Sequence, residues 1–111
     1  MMQGEIWLAP FPFSDQSNRK VRPIIIISNN EYNNSSNDII AIGVTSNLIH
    51  DDYTLNLSQK DLEDGNLITE CIIKVDNILY ISKELLIKRI GILKKSKLKQ
   101  SIDFFKNIVA Y

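Results

Sequence analysis

The feature that most constrains the fold of this chain is an unbroken run of four isoleucines at residues 24–27. β-Branched side chains have few allowed rotamers and fit the surface of a pleated sheet better than a helix. Because every position of the run is apolar, with no polar residue between, both of its faces are expected to be buried. We therefore predict a central strand at this point of the chain.

Five other segments have the composition of strands. The first is residues 5–9, which should end at Pro10 because proline has no N–H group to donate to a neighbouring strand. The other four are apolar or alternating stretches at 38–44, 53–57, 71–81 and 89–93. Residues 29–37 are mostly asparagine and serine, whose side chains bond to their own backbone, so we predict a surface loop there.

Helices are predicted where serine residues can cap them. Ser58 precedes a short helix that Gly65 would close, and Ser82 precedes one or two helical turns over residues 83–88. A longer helix should follow Ser96, because apolar residues then recur at helical steps: Leu98, Ile102, Phe105 and Val109.

These elements predict one domain over residues 1–111, a mainly β, compact antiparallel barrel-like sheet with a C-terminal helix. A chain of 111 residues can bury a core without disulfides, and its single cysteine, Cys71, has no intrachain partner. The N-terminus lacks the residue order of a secretory signal, and no apolar run approaches the ~18 residues of a membrane span. We therefore expect a cytoplasmic protein with no membrane contact.

Charge is balanced overall but unevenly distributed. The chain has 13 basic and 13 acidic residues, so net charge alone does not indicate a nucleic-acid partner. Residues 84–111 are basic, and we interpret this excess as the solvated side of a helix. A smaller positive cluster is formed by Arg19, Lys20 and Arg22.

Nothing in the sequence has the spacing of a metal site. Histidines, cysteines and carboxylates are not clustered as zinc or calcium ligands are. The one histidine, His50, lies in a polar stretch and cannot by itself supply both an acid and a base. We expect an exposed loop histidine, no metal and no cofactor.

A series of short motifs runs through nearly the whole chain in a fixed order. They are GEIWL at 4–8, FPF at 11–13, RP at 22–23 before the isoleucines, SN at 28–29, VTSN at 44–47, DL at 61–62, Gly65, IKVD at 73–76 and RIG at 89–91. Each motif is short and carries little weight alone, but in this order the series closely resembles the MazF/PemK family of ribonuclease toxins.

The resemblance implies an SH3-like barrel that works as a homodimer and is silenced by a cognate antitoxin. It also implies cleavage of single-stranded RNA by the substrate's own 2′-hydroxyl, which leaves a 2′,3′-cyclic phosphate and a 5′-hydroxyl and needs no metal. Arg22 matches the family's catalytic arginine, and Thr45 matches a hydroxyl residue that donates to a phosphate oxygen.

Further site residues come from the same resemblance. Asp76 matches an acidic residue that transfers protons, and Lys74 stands where some members have arginine. Cys71 replaces a serine that is common in the family. The expected substrate-binding residues are Phe13 as a base-stacking surface, Arg19, Lys20, Ser46, Asn47 and Lys74.

Each assignment has an alternative based on the residues alone. An arginine before a strand is usually a solvated surface group, and Lys74 with Asp76 fits a cross-strand charge pair. Trp7 fits a core position better than a stacking surface. Small barrels also serve as binding modules without catalysis, and the same scaffold could carry a toxin directed at a protein.

Overall fold

The computed structural model describes residues 1–10 and 20–111. These contain seven strands: β1 (Glu5–Pro10), β2 (Val21–Ile26), β3 (Asp38–Thr45), β4 (Thr54–Leu57), β5 (Leu62–Gly65), β6 (Cys71–Ser82) and β7 (Lys88–Leu93). They also contain two α-helices, α1 (Asn30–Ser35) and α2 (Lys95–Val109), and two short 3₁₀ turns at Gln59–Asp61 and Lys83–Leu85. None of the helices in these two ranges has the length and apolar character needed to cross a membrane.

The seven strands form one sheet in the order β4-β6-β3-β2-β1-β7-β5. All six neighbouring pairs are antiparallel, and the sheet curls into a half-barrel. The predicted mainly β, antiparallel architecture with a C-terminal helix is confirmed. The prediction of a central strand from the isoleucine run is also confirmed, because β2 has three strands on each side.

Successive isoleucines of β2 belong to two different apolar clusters. Ile25 lies in a cluster that α2 covers with Leu98, Phe104, Phe105 and Ile108. Ile24 and Ile26 lie in a second cluster, against which Trp7 and Leu86 pack. All three isoleucines are at most 2% exposed, so the strand is buried on both faces as its composition predicts. Trp7 is only half-buried, at the border of the second cluster.

The predicted loop at 29–37 is wrong, because residues Asn30–Ser35 form helix α1. Asn29 caps the helix, and its side chain accepts a hydrogen bond from the Tyr32 N–H at 2.8 Å. The Asn33 amide is buried and donates to the Ser28 carbonyl at 2.9 Å. A capped end and a satisfied buried amide thus outweigh the low helix propensity of asparagine and serine.

The predicted helix between Ser58 and Gly65 is reduced to one 3₁₀ turn followed by strand β5. Ser58 caps the turn as expected, through reciprocal hydrogen bonds with Asp61. Gly65 pairs with Gly91 of β7 at a φ of +97°, where a Cβ would collide with backbone atoms of Ile90 and Gly91. The glycine therefore permits close strand pairing and does not end a helix.

The C-terminal helix begins two residues earlier than predicted. Lys94 occupies the N-cap position, so Ser96 lies inside the first turn and caps nothing. Leu98 and Phe105 pack on the core as expected, but Val109 is 60% exposed and does not join the apolar stripe. The predicted helical turns after Ser82 are a 3₁₀ turn at Lys83–Leu85, and the Ser82 side chain caps it.

Candidate functional site

A cavity of about 1070 Å³ opens at one end of the sheet, beside the N-terminal end of β2 and the C-terminal end of β3. The segment between β5 and β6 forms its opposite wall. The apolar lining residues are Leu8, Val21, Pro23, Val44, Leu67, Ile68, Cys71 and Ile90, with Gly65 among them. The polar lining residues are Thr45, Ser46, Asn47, Asn66 and Thr69.

The charged residues that line this cavity within the described ranges are all basic: Lys20, Arg22, Lys88 and Arg89. The whole chain, in contrast, has equal numbers of basic and acidic residues. A concave surface of one sign of charge attracts ligands of the opposite sign, because its apolar walls focus the electric field. The geometry therefore favours an anionic ligand.

Arg22 and Thr45 line the same cavity from neighbouring strands. The β2–β3 ladder ends where Ile24 pairs with Gly43, and Arg22 and Thr45 each lie two residues beyond that pair on their own strands. Both side chains are half-buried and line the cavity. The Thr45 Oγ1 accepts a hydrogen bond from the Asn47 N–H at 3.1 Å, which leaves the hydroxyl hydrogen to be donated elsewhere.

Three of the expected binding residues also line the cavity. Lys20, Ser46 and Asn47 are exposed at its rim. The Asn47 side chain accepts a hydrogen bond from the Ile49 N–H at 3.3 Å, which orders the start of the loop after β3. Of the other three, Phe13 and Arg19 lie outside the described residues, and Lys74 does not line the cavity.

Lys74 and Asp76 are not brought into the cavity. Lys74 pairs with Gly43 in the β3–β6 ladder, and its Nζ lies 3.9 Å from the carboxylate of Asp51. Asp76 is exposed, in the part of β6 where the register with β3 shifts. The ion pair of Lys74 thus ties β6 to the β3–β4 loop, whereas Thr45 lies two residues further along β3 than Gly43 and Arg22 lies on β2.

Sequence reasoning assigned no role to Arg89, which lines the cavity on β7. Its Nε donates to Glu5 Oε2 at 2.9 Å, and its Nη1 lies 3.5 Å from Asp64 Oδ2. Glu5 is 8% exposed, and its other oxygen accepts hydrogen bonds from the Met2 N–H and Trp7 Nε1. The one signal for this ion pair in the sequence is that Glu5 and Arg89 both belong to the ordered motifs, GEIWL at 4–8 and RIG at 89–91.

Burial and hydrogen bonding act in opposite directions on Glu5. Burial raises the pKa of its carboxyl, but hydrogen bonds from Met2, Trp7 and Arg89 outweigh burial and hold that pKa below its ordinary value of 4.5. The same pairing raises the pKa of Arg89. Both groups are therefore ionised at neutral pH, as an unusually well satisfied pair at the cavity wall.

The remaining reactive groups contribute little to this arrangement. Cys71 is a buried free thiol, and burial raises its pKa. His50 is exposed in the loop after β3, as predicted, with Nδ1 3.1 Å from the Thr54 hydroxyl. Among residues 1–10 and 20–111, no three histidine, cysteine or carboxylate side chains are grouped as metal ligands.

Comparison with known proteins identifies the class to which this fold and cleft belong. The profile of a family described as PemK-like, MazF-like toxin of type II toxin-antitoxin system matches residues 2–104. The chain therefore belongs to the PemK/MazF-like toxin family. A comparison with curated protein sequences gives no match.

Solved structures of similar fold include proteins from mycobacteria and from Deinococcus radiodurans. One is an endoribonuclease in complex with its cognate antitoxin from a mycobacterial species, with 16% identity, a TM-score of 0.77, and coverage of 96% of this chain and 92% of that chain. Another is a MazE–MazF structure from Deinococcus radiodurans, with 14% identity, a TM-score of 0.79, and coverage of 98% and 95%. The Mycobacterium tuberculosis toxin MazF-mt6 has 16% identity, a TM-score of 0.73, and coverage of 93% of each chain.

The Glu5–Arg89 pair should make stability depend on pH in the acid range. The folded-state pKa of Glu5 lies below its ordinary value of 4.5, so its contribution is complete above that pH and is lost as the pH falls through the folded-state pKa. At about pH 7, Glu5→Gln should lower the unfolding free energy by about 1 to 3 kcal/mol, and the difference from wild type should shrink below about pH 4.5.

Urea unfolding of the wild type and of Glu5→Gln, from about pH 7 to below about pH 4.5, measures this difference in unfolding free energy. Asp64→Asn is the control, because it removes the other carboxylate near Arg89 from a side chain that is 71% exposed. Exposed ion pairs contribute about 0 to 1 kcal/mol, so this variant should stay close to wild type at every pH. A Glu5→Gln deficit that is constant with pH would contradict an ionised, stabilising Glu5.

Proposed function

We propose that this toxin is a sequence-specific endoribonuclease that cleaves single-stranded RNA in the cytoplasm without a metal or cofactor. The observation that carries the proposal is the placement of Arg22 beside Thr45 in a cleft whose described charged residues are all basic. Family membership supports it, and so do the similar structures described as endoribonucleases.

The proposed reaction is an internal transesterification. The 2′-oxygen of the RNA attacks the adjacent phosphorus and loses its proton, while the bond from phosphorus to the 5′-oxygen breaks and that oxygen gains a proton. The products are a 2′,3′-cyclic phosphate and a 5′-hydroxyl end. Because the nucleophile belongs to the substrate, the protein has to orient the strand, stabilise the charge on the five-coordinate phosphorus and manage two proton transfers.

Arg22 and Thr45 suit the stabilisation of charge on the five-coordinate phosphorus. The guanidinium of Arg22 has a fixed charge and a planar set of donors that match phosphate oxygens. Thr45 adds a short donor whose oxygen is already held by the Asn47 N–H. Together they would stabilise the non-bridging oxygens as negative charge accumulates on them.

Asp76 is the proposed proton-transfer group, with Lys74 beside it as an RNA contact. Asp76 is exposed on the register-shifted part of β6 and does not line the cavity, so this role requires the RNA strand to extend beyond the cleft to β6. Lys74 would exchange its ion pair with Asp51, in which both side chains are about half exposed, for a phosphate. The absence of Lys74 and Asp76 from the cavity lining favours a second candidate function, a binding module that holds RNA without cutting it.

Removing either donor should abolish most of the cleavage activity. Arg22→Ala and Thr45→Ala should each lower kcat by roughly 10² to 10³-fold, because each removes a preorganised donor to the transition state. The assay incubates purified protein with a long single-stranded RNA in EDTA and maps the ends of the fragments. Both variants should keep the wild-type melting temperature within a few degrees, since neither side chain is part of the buried core.

Conservative variants test the roles separately. Thr45→Ser keeps the hydroxyl and should stay active, while Arg22→Lys keeps the charge but loses the planar fork and should remain slow. Wild-type rates for both alanine variants would disprove this site. Intact RNA with measurable binding by the wild type would establish the binding module in place of the enzyme.

We also propose that two chains form a homodimer through apolar surface. Four large, mainly apolar side chains are 40 to 69% exposed: Ile78, Tyr80, Leu85 and Ile87. The first two lie in the second half of β6, and the other two lie between β6 and β7. Two-fold closure is the commonest symmetry for such surfaces. Light scattering at micromolar concentration should give about twice the chain mass of 12.7 kDa, and a monomer that cleaves RNA would refute the dimer.

The partner that we propose is an antitoxin with an extended, acidic and apolar segment that occupies the same cleft as RNA. The mixed lining supports this, because basic side chains at the rim alternate with exposed apolar residues such as Val21 and Ile68. Two of the similar structures are described as complexes with an antitoxin or as MazE–MazF. One basic cleft would then bind two kinds of anionic chain.

A competition experiment tests the shared cleft. A fluorescent synthetic peptide of alternating glutamate and leucine should be displaced by an uncleavable single-stranded RNA analogue. Lys20→Glu should weaken both ligands, more at low salt than at high salt, because exposed charges are screened. Lys60→Glu is the matched control, since Lys60 is exposed outside the cleft. Peptide affinity that is unchanged at saturating RNA would place the peptide elsewhere.

A further inference from the structure

Arg89 is firmly held at the wall of the cleft. Its guanidinium is bonded to Glu5 at 2.9 Å and lies 3.5 Å from Asp64, yet 35% of the side chain remains exposed at the cavity wall. A guanidinium has five N–H donors, and these two carboxylates account for two of them within the described structure. The rest of the fork is available to a ligand.

Glu5 makes the position of Arg89 well defined. Its carboxylate is 8% exposed and accepts hydrogen bonds from the Met2 N–H at 2.9 Å and from Trp7 Nε1 at 3.1 Å. Together with Arg89, the Glu5 carboxylate has three hydrogen-bond donors, which fix its position. An arginine anchored in this way loses little conformational entropy when it binds an anion.

Strand geometry separates Arg89 from Arg22. Arg22 pairs with Ala9 on β1, whereas the guanidinium of Arg89 is bonded to Glu5, four residues earlier on the same strand. Four residues of extended strand span about 13 Å, and β7 lies on the other side of β1 from β2. The guanidinium of Arg89 is therefore anchored at a different point along β1 from the one at which Arg22 pairs.

We propose that Arg89 binds a second phosphate of the RNA, one that flanks the cleaved position, and that Glu5 is its positioning residue. This inference rests on the proposed endoribonuclease function, since it requires the strand to cross the cleft from the Arg22–Thr45 end to β7. Arg89 then supplies affinity and sets the direction of the strand, while the reacting phosphate stays with Arg22. Its loss should affect binding far more than chemistry.

The test measures the salt dependence of binding to a single-stranded oligonucleotide with 2′-methoxy groups, which cannot be cleaved. For single strands, the slope of log affinity against log salt changes by about 0.7 for each phosphate contact. Arg89→Gln should therefore lower the slope by about 0.7 and weaken binding about tenfold at low salt. On cleavable RNA, KM should rise by a similar factor while kcat stays within about twofold.

Three further variants separate a phosphate contact from other effects. Lys99→Gln removes a cation that is also paired with a carboxylate, Asp103 on α2, and should leave the slope unchanged. Glu5→Gln should keep the slope, because the charge of Arg89 remains. It should weaken binding at high salt, where screening removes the benefit of losing a nearby negative charge and the loss of the anchor remains. The double variant Glu5→Gln/Arg89→Gln removes both charges, so that no buried carboxylate is left uncompensated if the single variant unfolds.

The outcomes distinguish this inference from the proposed function on which it rests. A wild-type protein that does not bind the oligonucleotide overturns both. Wild-type binding with an unchanged slope in Arg89→Gln, or in the double variant, overturns the role of Arg89 alone. A fall in kcat without a rise in KM would show that Arg89 acts on the reacting phosphate and would likewise refute the proposal.

Discussion

Burial of β2 on both of its faces is the constraint on which the rest of the structure depends. Ile25 belongs to the cluster under α2, while Ile24 and Ile26 belong to the cluster on the other face. A shift of one residue in this strand would exchange the two sets, so its register against β1 and β3 is fixed by packing. The position of Arg22 relative to Thr45 is a consequence of that register, because both lie just beyond its buried part.

Much of the fold could be predicted because strand formation here follows local composition. The strands rich in isoleucine and valine were found to within a few residues, and so was the C-terminal helix. The elements that were missed depend on contacts that the preferences of their residues do not show. Helix α1 depends on its Asn29 cap and on burial of Asn33 against Ser28, and β5, with the sequence LEDG, depends on pairing with β7 at Gly65 and Gly91.

The candidate site also has residues whose placement the sequence predicts and residues whose placement it does not. Arg22, Thr45, Ser46 and Asn47 are each within a few residues of a strand end, so ordered motifs were enough to place them together at one end of the sheet. The Glu5–Arg89 pair joins residues 84 positions apart, and no local pattern shows that a carboxylate and a guanidinium will meet across β1 and β7. The ordered motifs likewise suggested Lys74 and Asp76 without indicating that they lie outside the cavity.

The cations of the cleft have different electrostatic roles because of their surroundings. Lys20 and Lys88 are exposed at the rim, so their fields extend into solvent and attract a polyanion over distances up to a Debye length. Arg89 is next to Glu5, so at longer range the two charges nearly cancel and the pair attracts little. At contact distance the remaining donors of the fork can still form directional hydrogen bonds with an anion. In the proposed complex with RNA, the exposed lysines would therefore attract the strand, and the arginine held in place by a buried carboxylate would align it.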